Sequence, residues 1–377
     1  MKTKVAFCLR DMQLGGVESV LIRTLDKLQN YKDVDICVIT YVDITEPLYK
    51  KYFEKHPNIK CYSLYSLEWL GTKLPHFFMW RIFIHLLRDI YRNTKRFWVM
   101  RKFKDIDVFV DYHDFGFHNE LKFVGQAKKI AWFHSSINTF VNRRFVKYLK
   151  YYDKFVVLTD DFKNEFIEKY PSLKNKILRI YNPIDIEQIK EKSKENVNNI
   201  DGDYFCCVAR LAPDKDIETI LRGFDLFWKN NNKPDIKMVF VGDGNLANHY
   251  KFIANSLAAR NQFVFVGMKK NPFGYMKNAV ANILSSYSEG LPTVLIESAV
   301  VGTLNIASSC KCGPREILLN GDAGLLFEPG DVDGLAKCML DVYKKKIGIN
   351  KMINESTKAL KRFDGDEIAK QIISLIV

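Results

Sequence analysis

The chain has 377 residues, 47% of them hydrophobic, enough for two or three domains with sizeable cores. Lys and Arg number 57 against 44 Asp and Glu, a net charge of +13 that favours an anionic partner such as a nucleotide, a membrane surface or nucleic acid. The sequence has no run of about 18 uncharged apolar residues, which argues against a transmembrane helix. The opening MKTKVAFCLRDMQ has a short apolar run ended by Arg10 and Asp11 and no small-residue cleavage site, so it reads as a first strand rather than a leader. Eight scattered cysteines without a CxxC pair read as reduced, cytosolic thiols and not as a metal site.

In chain order, short β-rich apolar runs at residues 4–9, 35–41, 58–62, 108–112, 129–133 and 154–159 predict six strands, with helical stretches between most of them. The pattern repeats at 204–208, 237–241, 262–266, 279–284 and 303–307. Such alternation implies an α/β chain with parallel sheets and crossover helices. Between the halves, RIYNPID carries Asn182 and Pro183 and leads into a charged stretch at 187–199, which predicts domains at residues 1–183 and 184–362. Ligands of such sheets bind outside the carboxyl ends of the strands, so two halves facing each other would form a central cleft.

The first strand is followed by Gly15 and Gly16 at a helix entrance, a pair that admits a close ligand or, as readily, close packing. Residues 73–104 hold nine Lys or Arg against one acid, Asp89. At about 100° per residue, Arg81, Arg88, Arg92 and Lys95 fall on one side and Phe83, Leu87, Ile90, Thr94, Phe97 and Trp98 on the other. With Trp80 and Trp98, this stretch suits an anionic membrane interface; the alternative is an apolar face packed on the sheet with solvated cations. A second basic and aromatic run covers 143–154. His134 ends a strand and precedes a Ser-rich turn. Arg210 and Lys215 in ARLAPDKD are either two solvated loop cations or a fork and a point charge that clamp a diphosphate. VGDG at 241–244 is most simply a turn. SEGLPTVLIESA offers Glu289 in a loop and Glu297 one turn into a helix, acids able to accept hydrogen bonds from a vicinal diol, while the amides at the helix entrance suit phosphate. Glu316, after Pro314 and Arg315, reads as a helix N-terminal acid.

Taken together and in order, GGVES, ARLAPDKDIETIL, VFVGDG and SEGLPTVLIESA resemble the GT4 family of retaining glycosyltransferases, over nearly the whole chain and most strongly at 204–327. That resemblance implies the GT-B fold, two Rossmann-like parallel-sheet domains facing a cleft, with residues 363–377 forming a last helix that joins the N-terminal domain through Ile368, Ile372, Ile373 and Ile376. It implies that Arg210 and Lys215 hold the donor diphosphate and that Glu297 holds the ribose. Glu289, Gly290, Leu291, Pro292 and Thr293 would take the transferred sugar and phosphate, while Gly267 and Met268 border the base and Gly242 the crevice. Gly15 and Gly16 would approach from the other domain. By the same likeness His134 stands near the donor sugar, and His134, Glu289, Arg210 and Lys215 are the catalytic candidates. Glu18 and Asp114 are weaker acceptor candidates, since no motif fixes their role. Cys310 to Cys312 depart from a commoner glycine-bearing form.

The implied reaction moves a sugar from a nucleotide diphosphate, a UDP-sugar, to a hydroxyl with retention, through electrostatic stabilisation by Arg210, Lys215 and the amides at 291–293. With no Asp-x-Asp near the donor loop, no metal and no other cofactor are expected. The basic amphipathic stretch points to a lipid-linked glycan acceptor at an anionic membrane surface, on its cytoplasmic face, in surface or capsular polysaccharide synthesis. Three alternatives share the two-domain cleft or the charge: a sugar-nucleotide epimerase, a phosphorylase, and a non-catalytic binder of membranes or nucleic acid.

Overall fold

The computed structural model describes residues 2–13, 15–65, 78–134, 147–195, 200–345 and 348–377. The chain divides into two compact units, one formed by Met1–Leu158, Glu165–Ile180 and Ala369–Val377, the other by Thr159–Asn164 and Tyr181–Ile368.

The first unit holds a seven-stranded parallel sheet of β1 (Thr3–Leu9), β2 (Val34–Val42), β3 (Lys60–Tyr65), β4 (Val108–Asp111), β5 (Lys128–Trp132), β6 (Lys154–Val157) and β7 (Ile177–Arg179), in the order β3-β2-β1-β4-β5-β6-β7. Its helices include α1 (Gly16–Leu28), α2 (Pro47–Lys55), α3 (Phe78–Arg101) and α4 (Asp160–Lys169), the last shared between the units. Val5 to Leu9 of β1 are fully buried without alternation, as a central strand covered on both faces requires. β1 pairs with β2 on one side and β4 on the other, with Val5 opposite both Ile36 and Val108. The strand expected at 58–62 lies instead at Lys60–Tyr65, because Ile59 closes a turn by donating its N–H to the His56 carbonyl at 2.9 Å. β7 escaped the sequence reading because three residues carry no period.

In α3 the side chains at 78–83 and 85 lie outside the described residues, as do residues 73–77 of the basic stretch and 143–146 of the second run. Over the rest of α3 the apolar side faces out: Leu86, Leu87, Ile90, Phe97 and Trp98 are exposed, Leu86 at 59% and Trp98 at 60%. The cationic side is the half-buried one. Arg92 stands over the Tyr65 ring at 5.7 Å, Arg96 lies 3.6 Å from the buried Glu120, and Met100 is fully buried. The alternative of an apolar face packed on the sheet with solvated cations is therefore inverted.

The second unit carries β8 (Tyr204–Val208), β9 (Lys237–Val241), β10 (Phe263–Gly267), β11 (Ala281–Leu284), β12 (Asn305–Ser308) and β13 (Leu325–Phe327), parallel and in the order β10-β9-β8-β11-β12-β13. The three-residue β13 also went unpredicted. Its helices are α5 (Ile186–Lys192), α6 (Ile217–Asn230), α7 (Ala247–Ser256), α8 (Phe273–Lys277), α9 (Thr293–Val300), α10 (Pro314–Ile317), α11 (Val332–Tyr343) and α12 (Ile349–Ala359), followed by α13 (Gly365–Ile376). In α6, Ile217, Ile220, Leu221, Phe224 and Phe227 recur at helical spacing and bury against Phe205, Met238, Phe240 and Leu335. Asp216, left-handed at φ 44°, starts this helix by accepting from the Thr219 N–H and hydroxyl. α13 buries Ile368, Ile372, Leu375 and Ile376, with Ile373 half-buried; its residues from Ala369 onward belong to the first unit, where Lys128 donates to the Leu375 carbonyl at 2.5 Å.

Candidate active site

In the second unit the sheet order reverses between β8 and β11, and a ligand crevice forms where neighbouring loops diverge at such a point. The loop after β8 carries Arg210 and Lys215, and the loop after β11 carries Glu289. They meet across the reversal: Lys215 Nζ lies 2.6 Å from Glu289 Oε1, which also accepts from the Ser286 hydroxyl at 2.6 Å. Ser285 ties the two loops by donating to the carbonyls of Lys215 and Asp216, each at 2.8 Å, and Tyr287 N–H donates to the Asp214 carbonyl at 3.1 Å. Arg210 is exposed and rests loosely on Asp214 at 3.4 Å. One cation is thus fixed by a mostly buried carboxylate, while the other is exposed and paired at longer range with Asp214.

The glycines around this crevice serve different ends. A Cβ at Gly242, φ 146°, would stand 1.9 Å from the Ala209 carbonyl oxygen, so glycine lets the β9 loop press against the backbone that presents Arg210. Gly244 makes the same kind of approach to Leu211, at 2.4 Å. Gly267, φ 73°, has open space around its Cβ direction, and Met268 beside it is 66% exposed. Gly313, φ 102°, backs the Gly290–Pro292 segment: its Cβ would meet Pro292 Cδ at 2.4 Å. Gly313 therefore supplies the close approach in the loop where Cys310 and Cys312 stand. Burial, with Glu289 adding to it and Lys215 opposing, pushes the Cys310 thiol up to about 11, so this thiol is inert. Thr293 opens α9, Leu291 is buried beneath the loop, and Glu297 is buried on α9. All eight cysteines are free.

In the first unit the order reverses between β1 and β4. After β1, the Glu18 carboxylate folds back over the entrance of α1, and a side chain at Gly15 would strike its Oε2 at 2.3 Å, whereas nothing lies near the Cβ direction of Gly16. Burial raises the Glu18 carboxyl above the ordinary range, with Asp11 adding to it and the Glu18 N–H opposing. After β4, Asp114 and Phe115 adopt left-handed φ of 47° and 66°, and Asp114 Oδ1 accepts from the His134 N–H at 2.9 Å. The His134 ring packs 4.5 Å from that of Tyr112. Burial, aided by His113, lowers His134 to about 3, so the imidazole is neutral at physiological pH. His134 Nε2 and His113 Nδ1 have no hydrogen-bond partner among the described residues. Behind them Asp111, fully buried, accepts from Tyr152 at 2.6 Å and from the Phe117 N–H at 2.9 Å, and burial drives it up to about 7 despite these donors.

Sequence reasoning missed Ser285, Ser286, Asp111 and Glu120. The two serines stand inside the SSYSEG motif and were legible as loop hydroxyls; nothing in DYHDFGFHNE distinguishes buried acids from solvated ones. Glu316 sits in the first turn of α10, as its setting suggested, but it accepts from the Asp160 N–H at 2.8 Å and from the Tyr181 hydroxyl. Arg88, Arg92 and Lys95 are half-buried on α3, whereas Trp80 and Arg81 have side chains outside the described residues.

Residues 188–359, most of the second unit, match the family described as Glycosyl transferases group 1. An uncharacterized glycosyltransferase of Methanocaldococcus jannaschii is 29% identical over 257 residues, a stretch that spans 62% of each chain and so under two thirds of that relative. The N-acetylgalactosamine-N,N'-diacetylbacillosaminyl-diphospho-undecaprenol 4-alpha-N-acetylgalactosaminyltransferase of Campylobacter jejuni is 24% identical over 66% of this chain and 67% of its own. In fold, the chain matches the crystal structure of Anabaena HepE in complex with UDP at a TM-score of 0.78, with 16% identity over 99% of both chains. The fold is therefore GT-B, with two Rossmann-like parallel sheets. The group 1 match lies within the second unit and covers under half of the chain.

Proposed function

We propose that this protein is a hexosyltransferase-type glycosyltransferase that moves a sugar from a UDP-sugar to a hydroxyl of a lipid-linked glycan, with retention of anomeric configuration, in surface polysaccharide synthesis. The observation that carries the reading is the Lys215–Glu289 pair at the β8/β11 reversal, with Arg210 exposed on the same loop. When the bond between the anomeric carbon and the diphosphate oxygen breaks, negative charge gathers on the leaving group. Lys215 and Arg210 stabilise that charge, together with the amides opening α9. The acceptor hydroxyl bonds to the anomeric carbon and its proton leaves with the diphosphate oxygen. Glu297 takes the ribose hydroxyls, and Gly267 and Met268 border the base. His134, neutral and buried, offers a hydrogen bond to a sugar hydroxyl and not a charge. Glu18 and Asp114 are proposed acceptor contacts; Gly16 leaves room at the entrance of α1, and Gly15 makes way there for the Glu18 carboxylate.

Two cations at the diphosphate support a reaction without a metal ion or other cofactor, so transfer is expected to persist in excess chelator. The lipid-linked acceptor is supported by the Campylobacter relative, named for a diphospho-undecaprenol substrate, and by the exposed apolar side of α3. Arg101, whose guanidinium lies 5.6 Å from the Trp98 ring and 5.7 Å from that of Phe97, flanks that side with a cation, the arrangement of a helix lying in an anionic membrane interface. The protein would then work at the inner face of the cell membrane.

Calorimetry against UDP-, GDP-, ADP- and dTDP-sugars tests the donor. Selective binding of a UDP-sugar, lost in Arg210→Ala and Glu297→Ala, supports the reading; well-folded wild type that binds none of them overturns it. Proton NMR of the product, read at the anomeric signal, decides retention.

A further inference from the structure

We propose that Glu120 is a positioning residue for glycosyl transfer, which by donating a proton to Tyr41 commits the Tyr41 hydroxyl to the turn that holds Asp114 against His134. The inference rests on the reading of His134 and Asp114 as contacts of the reacting sugar or acceptor. The turn at residues 113–117 is one that an L-amino-acid chain adopts only under constraint, since Asp114 and Phe115 are both left-handed. Among the bonds that grip it are Gly116 N–H to the His113 carbonyl at 2.8 Å, Asp114 N–H to the Trp132 carbonyl at 3.3 Å, Phe117 N–H to Asp111 at 2.9 Å, and the Tyr41 hydroxyl to the Gly116 carbonyl at 2.7 Å. Its output is the 2.9 Å bond from His134 N–H to Asp114 Oδ1.

Tyr41 has one proton but two oxygen neighbours, the Gly116 carbonyl at 2.7 Å and Glu120 Oε2 at 3.0 Å. An ionised Glu120 would accept that proton in a charge-assisted bond and strip the Gly116 carbonyl of its donor. A neutral Glu120 reverses the direction: its O–H donates to the Tyr41 oxygen, and Tyr41 donates onward to Gly116. Both short contacts are then satisfied. The Glu120 side chain is fully buried, and its Oε1 makes no hydrogen bond among the described residues. Burial raises its carboxyl above the ordinary range, with the Tyr41 contact, Arg96 and Lys122 opposing. The groups facing this network are Arg96 from α3, whose Nη1 stays 3.6 Å from Oε1, Lys122 from the same segment, Cys8 from β1, Asp111 from β4, Tyr65 from β3 and Tyr152. Tyr41 itself is clamped between the Tyr65 and Phe117 rings at 5.6 and 4.4 Å, so the hydroxyl cannot swing to a new partner without unstacking.

The test compares Glu120→Gln, Glu120→Ala and Tyr41→Phe in steady-state transfer, with thermal melts alongside. Gln is neutral and its amide can donate to the Tyr41 oxygen, so Glu120→Gln is expected to restore kcat relative to Glu120→Ala and to flatten its fall at alkaline pH. Tyr41→Phe, which keeps the ring stack, is expected to lower kcat about tenfold with the KM for donor unchanged. If Glu120→Gln is as impaired as Glu120→Ala, the ion pair with Arg96 is what matters and the proposal is overturned. A Tyr41→Phe enzyme at wild-type kcat overturns it too, even if Glu120→Ala fails to fold. His134→Gln and Asp114→Asn separate the two levels: if both are silent, the site reading fails and takes the proposal with it; if both slow transfer while Tyr41→Phe is silent, only the positioning role fails.

Discussion

Lys215 and Glu289 stand 74 positions apart in sequence and 2.6 Å apart in space. Removing the ammonium leaves a mostly buried carboxylate that still accepts from the Ser286 hydroxyl. Lys215→Ala is therefore expected to cost stability, about 1–3 kcal/mol in denaturant unfolding, as well as donor affinity in calorimetry. Glu289→Gln, which keeps a polar partner for both neighbours, should cost less stability. Two other buried groups set opposite pH dependences. His134 titrates at about 3 when folded against about 6.5 when unfolded, so its contribution to stability is complete above the higher value and is lost as pH falls through the window between them. Asp111 moves the other way, up to about 7 from 3.8, so its contribution is complete below 3.8 and is lost as pH rises toward 7. Asp111→Asn should accordingly raise the melting temperature relative to wild type at pH 8 and do so much less at pH 4, while the pH profile of kcat should show no limb from His134 above pH 5.

At the scale of elements, the loops of the second unit are held by backbone pressed on backbone. Gly242→Ala would drive a methyl into the Ala209 carbonyl, which no rotamer can relieve, and would shift the loop that bears Arg210. Loss of donor binding together with a lower melting temperature is the expected outcome; Gly16→Ala, which meets open space, should fold normally and serves as the contrast. In α6, Phe224→Ala empties a fully buried site and should cost about 3–5 kcal/mol by denaturant titration, with little change in the KM of the protein that remains folded. α3 offers the converse case, because its apolar side is outward. Trp98→Ser with Phe97→Ser should leave the melting temperature within a degree or so and reduce co-sedimentation with anionic vesicles. If binding is by insertion, moderate salt should weaken it less than this pair of substitutions does.

At the scale of the molecule, much of the GT-B architecture was legible because a strand buried on both faces has to be an unbroken apolar run, and VAFCL, KMVFV and ANIL are such runs. The short outer strands ILR and LLF were not, since three residues can show neither a period nor a run. Register was equally hidden at β3, where a turn bond at Ile59 moved the strand two residues along. In the loops, ARLAPDK and SEGLP stood out by composition, since proline, glycine and charge cluster where a backbone bends at the surface.

By itself the sequence determined that the chain is α/β, where most strands run, and where the loops between them bend, because local periodicity and turn residues encode those things within a window of a few residues. Only the tertiary structure decided that Lys215 reaches Glu289, that Gly242 is required by its approach to the Ala209 backbone and Gly313 by its approach to the Pro292 ring, that α3 half-buries Arg88, Arg92, Lys95 and Arg96, and that Asp111 and Glu120 are buried. Each of these depends on strand order, which sets residues distant in the chain side by side and excludes water from some charges and not others. A window of sequence contains neither the neighbour nor the solvent.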